Sequence, residues 1–176
     1  MKQKIMAFTS KYSFTAYNGR IPPMPNLLIV SHSPSENAQA LTDAVVSGAS
    51  HKDIGDIDVR VVVPLQAEEK DVLWANGVIL GTTENFGYMS GAMKDFFDRV
   101  YYPCLEQTQG LPYSLFIKAG IDGQGAKTSI ERIVTGLKWK LVQETLVCQG
   151  KFRPEFLQQG EELGMTMAAG LEAGVF

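Results

Sequence analysis

Five short apolar runs rich in β-branched residues punctuate this chain, and each is followed by a stretch whose apolar residues recur at helical spacing. The runs are Leu27–Val30, Val59–Val63 closed by Pro64, Val78–Leu80 opened by Gly77, Tyr113–Ala119 and Trp139–Val147. A strand without polar alternation must be covered on both faces, which is the situation of a parallel sheet flanked by helices. The intervening stretches supply those helices. Their inner faces read Ala38, Leu41, Val45, Ala49; then a short turn of helix over Ala67–Ala75 that brings Trp74 to the sheet; then Met89, Met93, Phe96, Phe97, Val100, Tyr101; then Ile130, Ile133, Val134, Leu137; and after Pro154, Phe156, Leu163, Met167, Leu171. This pattern predicts an α/β domain, a three-layer sandwich with a five-stranded parallel sheet and right-handed crossovers. Gly160, Gly164 and Gly170 each weaken the last helix by up to about 1 kcal/mol relative to alanine. Close packing on the sheet or on another subunit is the expected compensation.

The chain of 176 residues is long enough for one core and too short for two comfortable ones. Residues 1–25, mixed polar and aromatic and ending in Pro22, Pro23 and Pro25, read as an N-terminal extension that folding does not need, and 26–176 as the domain. No apolar run approaches the roughly 20 residues of a membrane span. A formal charge of −3, with no cluster of Lys and Arg, gives nothing to neutralise a row of nucleic-acid phosphates. Neither membrane nor nucleic acid is an expected partner. Cys104 and Cys148 have no CxxC partner and no metal spacing with His32 or His51, so they read as buried thiols of a reducing, cytoplasmic setting.

Three strand ends are unusual. After the first, Ser31-His32-Ser33-Pro34-Ser35-Glu36-Asn37-Ala38 crowds hydroxyl and amide groups where strand turns into helix. Ser35 suits an N-cap, yet capping accounts for one of these residues only. Free backbone N–H groups, the positive end of the helix dipole and added hydroxyls together make a phosphate pocket, and we read the turn as one. His32 reads as a loop or core histidine. After the third strand, Gly81–Gly87 reads as an exposed loop, small and polar with one aromatic. After the fourth, Gly120-Ile121-Asp122-Gly123-Gln124-Gly125 places three glycines where the backbone can approach a flat ligand. This last loop is a near miss to a P-loop. Ala126 intervenes between Gly125 and Lys127-Thr128, which turns the lysine by about 100° around the helix and removes it from a nucleotide's phosphates. A response regulator is the weaker reading as well, because no acidic cluster follows the first strand and the third ends in Gly81-Thr82 where a phosphorylatable Asp would stand.

The segment Gly81-Thr82-Thr83-Glu84-Asn85-Phe86-Gly87-Tyr88-Met89-Ser90, continuing to Lys94 and Phe97-Asp98-Arg99, resembles G-[ST]-P-[TV]-[YR]-F-G-[NS]-M-[SA] followed by M-K-x-F-x-D-R. That pattern belongs to the flavodoxin-fold NAD(P)H-dependent quinone and flavin reductases, including the tryptophan repressor-binding-protein family. Glu36 stands where a glycine is usual, Thr83 where proline is common, and Glu84 adds a negative charge beside the ring.

The resemblance implies the strand order 2-1-3-4-5, which brings the three unusual loops to one rim. It implies FMN as cofactor, with NAD(P)H as cosubstrate and a quinone-like acceptor, in a homodimer or homotetramer. On this expectation Ser33, Ser35, Asn37 and the Ala38 N–H hold the phosphate. Thr82, Thr83, Glu84, Asn85, Phe86 and Gly87 line the ring, with Phe86 packing near it, and Gly120, Asp122 and Gly123 cover its other side. The hydride and electron chemistry belongs to the cofactor, so no side chain is expected as a catalytic residue and none as a metal ligand. A pure electron carrier and a flavin-free protein-binding domain are the competing functions.

Overall fold

The computed structural model describes residues 24–176. Residues 1–23 of the extension over 1–25, and the expectation that folding does not need them, lie outside the described residues. Twelve elements follow in order: β1 (Asn26–Ser31), α1 (Glu36–Ala49), β2 (Asp58–Val62), α2 (Glu69–Trp74), β3 (Gly77–Asn85), β4 (Tyr88–Met89), α3 (Gly91–Cys104), β5 (Pro112–Ala119), α4 (Gln124–Gly136), β6 (Lys140–Leu141), β7 (Leu146–Gln149) and α5 (Glu155–Glu172).

β1 lies between β2 and β3, and β3 between β1 and β5, all parallel; β6 and β7 both pair with the outer side of β5. Counting β6 and β7 as one strand position, this is the expected order 2-1-3-4-5. Successive residues of β1 point to opposite layers. Leu28 and Val30 join Val72, Met93, Phe96, Val100, Ile130 and Val134 in one core, under α2, α3 and α4. Leu27 and Ile29 join Leu41, Val45, Phe156, Leu163 and Met167 in the other, under α1 and α5. Every side chain of Leu27–Val30 is fully buried, which explains the absence of alternation in the sequence.

Three local expectations are corrected. The stretch Gly81–Gly87 is strand and tight turn: β3 stays paired with β5 through Thr83 and Lys118, and Glu84 and Asn85 then pair antiparallel with Met89 and Tyr88 of β4. Phe86 and Gly87 turn the hairpin with φ of 53° and 69°, the two positive values that a tight two-residue hairpin turn demands. Met89 is therefore a strand residue, and α3 begins only at Gly91, with Ser90 as N-cap. The fifth strand, Trp139–Val147 in the sequence reading, is two short strands. Between them Gln143 turns inward and donates to the Ser114 hydroxyl and the Leu163 carbonyl, which breaks the ladder. Trp139 precedes the strand and donates its indole N–H to Thr108.

The Arg99 that ends the recognised segment serves the scaffold. Its guanidinium donates to the carbonyls of Ala67 and Pro64 and fastens the connection between β2 and α2 to α3. Arg60 lies 3.8 Å over the Trp74 ring and is 2.9 Å from Asp71, which holds α2 against β2.

Two of the three glycines of α5, Gly160 and Gly164, face α1. A Cβ on Gly164 would collide with the Val45 carbonyl oxygen, and one on Gly48 with the Glu161 carbonyl oxygen, so the two helices touch backbone to backbone. A Cβ on Gly170 would meet only the Phe176 ring. Packing therefore opposes helix propensity at Gly164. Gly164→Ala is expected to lower stability by about 2 kcal/mol or more, the cost of overpacking, despite the helix propensity gained. Chemical denaturation checks this, and an unchanged midpoint would contradict the close crossing.

Both thiols are enclosed. Burial pushes Cys104 and Cys148 up to about 11 from 9.0. The folded state then holds protons that the unfolded state releases, so this contribution to stability is complete below pH 9 and is lost as the pH rises towards 11. Neither thiol is expected to react with a disulfide reagent at pH 8 in the native protein, and both on unfolding. A colorimetric thiol assay with and without denaturant checks it.

Candidate functional site

Parallel strands place their following loops on one edge, and here the ends of β1, β3 and β5 are neighbours. The turn after β1 is joined directly to β3, because the His32 N–H donates to the Gly81 carbonyl at 3.0 Å. Gly81 has no room for a side chain: a Cβ there would strike the Ser31 hydroxyl and the Phe116 ring.

The first loop is built on three hydroxyls. Thr42, on the buried face of α1, lies 2.8 Å from the Ser31 hydroxyl and 2.7 Å from that of Ser33, and donates to the Ala38 carbonyl at 3.1 Å. Ser31 and Thr42 are only 4% and 3% exposed, so this cluster is an internal brace beneath the turn. Ser35 is the N-cap of α1 and accepts from the Ala38 N–H at 3.3 Å. Capping uses a lone pair of that hydroxyl and leaves its proton free to donate. The amides of Glu36 and Asn37, in the first turn, have no carbonyl four residues back within the helix to accept them. Asn37 is exposed and Ala38 buried. An open groove runs beside this turn, lined by Ser33, Pro34, Ser35, Glu36, Gln39 and Asp43. The Nδ1 of His32 is buried with no partner, and burial holds the imidazole below its usual value, hence neutral at pH 7.

The second and third walls are one unit. The Glu84 carboxylate accepts the N–H of Ile121 at 2.9 Å and of Gly123 at 3.1 Å, tying the hairpin to the loop between β5 and α4. Gly125 seats α4 against the turn of the hairpin, since a Cβ there would overlap the Gly87 carbonyl. Gly123 sits at φ 72° as the left-handed N-cap of α4. Asp122 accepts from the Gln124 N–H at 3.0 Å, and Thr83 donates to Asn85 at 3.0 Å. Thr82 is buried, and its hydroxyl is occupied by the Ser90 N–H, the Ser90 hydroxyl and the Thr83 carbonyl. Phe86, Tyr88 and Ile121 are the exposed apolar side chains of these segments, Phe86 fully so. Gly87 and Gly120 face open space. Lys127, the near-miss P-loop lysine, pairs with Glu131 at 3.9 Å on α4.

The structure thus gathers the sequence-selected residues on three adjacent connections, with His32 and Glu84 as the links between them. Two features of the site were not selected from sequence: Thr42 as brace, and Glu84 as a link between walls. A threonine on the otherwise apolar face of α1 was the available signal for the first. Among the described residues no group of three or more His, Cys, Asp and Glu is arranged to hold a metal. No helix among them is long and apolar enough to cross a membrane.

A flavodoxin from an archaeon superimposes with a TM-score of 0.72 at 21% identity, covering 84% of this chain and 99% of its own. The fold is flavodoxin-like. A flavodoxin, WrbA-like protein from Agrobacterium tumefaciens shares this flavodoxin-like fold at a TM-score of 0.69 and 16% identity, over 85% of this chain and 98% of its own. Among curated proteins, a flavodoxin of Aquifex aeolicus is 29% identical over 114 residues, 65% of this chain. The matched stretch spans 60% of that relative's length. No family model matches the chain.

The brace generates a prediction. Thr42→Val preserves shape but strips the buried Ser31 hydroxyl and that of Ser33 of their shared partner, and is expected to cost about 1–3 kcal/mol. Thr42→Ser is expected to recover most of it. Urea unfolding of the two variants checks the pair.

Proposed function

We propose that this chain is an FMN-binding flavoprotein that acts as an NAD(P)H-dependent reductase, passing electrons to a quinone or similar acceptor. The observation that carries the reading is the continuous rim formed by the ends of β1, β3 and β5, at the switch point where open parallel sheets commonly bind ligands. The donor set suits the ligand. A dianionic phosphate finds the amides of Glu36 and Asn37, the Ser35 proton and the helix dipole at the start of α1. A flat ring finds a wall whose glycines at 87 and 120 face open space and whose exposed apolar side chains are Phe86, Tyr88 and Ile121, with the polar Asn85 and Asp122 exposed beside them.

Bound FMN supplies hydride acceptance from a nicotinamide and onward electron release. The chain's own residues bind and orient. Ser33 braces the phosphate turn through Thr42, the Ala38 N–H is taken up by the Ser35 cap, and Asn37 stands exposed at the turn, while Thr82 acts indirectly by capping α3 through Ser90. The hairpin from Thr83 to Gly87 and the loop from Gly120 to Gly123 would line the ring and limit water around it. The working form is a cytoplasmic homodimer or homotetramer.

A second reading has its own support. The curated relative is named a flavodoxin, which favours an electron carrier without turnover of NAD(P)H. A formal charge of −3 on 176 residues gives little of the long-range steering that a dedicated carrier uses, and so weighs toward the reductase.

Titration of the purified chain with FMN is expected to quench flavin fluorescence at one FMN per chain. NAD(P)H oxidation by the loaded protein with a quinone present is expected to exceed that of free FMN. Binding without turnover selects the carrier, and failure to bind FMN removes both.

A further inference from the structure

Glu84 and Ile121 are 37 residues apart, yet one carboxylate joins the hairpin to the loop that starts α4. We propose that Glu84 is a positioning residue for the ligand's ring, presetting the Gly120–Gly123 loop as one wall with the hairpin and acting through the backbone of Ile121 and Gly123. This rests on the flavin reading above.

The loop has every reason to move without that carboxylate. It contains Gly120 and Gly123, and glycine has the most conformational freedom to lose. Within the loop, Asp122 bonds only forward to Gln124. Fixing a residue's backbone costs conformational entropy, so a loop ordered only on binding would subtract that cost from affinity at each of its residues. Two backbone N–H groups on one carboxylate are charge-assisted bonds, roughly twice as strong as neutral ones. They hold Gly123 at its left-handed cap geometry and keep the apolar Ile121 on the rim. The same bonds compensate the Glu84 charge, so the carboxylate can stand half-buried.

The opposite arrangement, with Glu84 and the ring competing for the two N–H groups, makes the opposite prediction. The test uses the full chain with Glu84→Ala and Glu84→Gln. First, without flavin, amide hydrogen exchange is expected to be at least about tenfold faster at Ile121 and Gly123 in Glu84→Ala, as loss of two charge-assisted bonds requires, with Leu115 in β5 unchanged. Second, FMN and riboflavin are expected to bind Glu84→Ala about tenfold more weakly by the same factor, since the lost order concerns the ring. Glu84→Gln, which retains one acceptor oxygen, is expected to fall between. Inorganic phosphate, followed through the Asn37 amide resonance, is expected to bind as in the wild type.

Unchanged exchange at Ile121 and Gly123 overturns the clamp. Faster exchange with equal or tighter flavin binding overturns the positioning role. Loss of phosphate and flavin binding together points to general unfolding and also overturns it. Wild-type protein that takes up no FMN overturns the function proposed above and this role with it, while the exchange result still decides whether the clamp exists.

Discussion

Burial of β1 and β3 on both faces is the constraint on which the rest depends. A parallel sheet has no face to offer water, so helices must cover it twice, and the crossovers that deliver them leave the connecting loops on one edge. The two cores divide along β1 residue by residue, Leu27 and Ile29 to one side and Leu28 and Val30 to the other. Where α1 and α5 share a layer, Gly48 and Gly164 let the helices approach to backbone contact. That closeness positions α1, and with it the Ser31, Ser33 and Thr42 brace beneath the first loop.

The rim is assembled by few bonds between distant segments. His32 N–H to Gly81 joins the first connection to β3, and Glu84 joins the hairpin to the loop after β5. Each connects a polar segment between elements to a strand paired within the sheet. Preorganisation of this kind lets a binding surface be made from loops without the full entropic penalty of ordering them.

Much of this was legible in the residues. The apolar runs located the parallel strands, helical spacing located α1, α4 and α5, and the crowding of Ser, Asn and Gly marked three of the strand ends. What failed did so for physical reasons. Gly81–Asn85 looked like a loop because its residues are small and polar, but Thr82 and Thr83 pair with β5 and the strand outlasts its apolar part. The fifth strand looked continuous because its apolar content is, but Gln143 turns inward to bond with Ser114 and Leu163. Arg99 belonged to a recognised pattern, yet its role is to hold two carbonyls of another connection.

The sequence by itself determined the fold class, the strand order through its resemblance, and which strand ends are chemically unusual. The fold class and the unusual strand ends follow from periodicity and local composition, which depend on residues near one another along the chain, whereas the strand order came only as an implication of the resemblance. Only the tertiary structure decided that Gly164 serves α1, that Thr42 braces the first loop and that Glu84 joins two walls into one. Those are contacts between atoms far apart in sequence, where a glycine, a threonine and a glutamate carry no mark of the partner they will meet. The stretch from Gly81 to Gly87 shows both sides: its composition marked the site, and its pairing, first with β5 and then with β4, gave the site its shape.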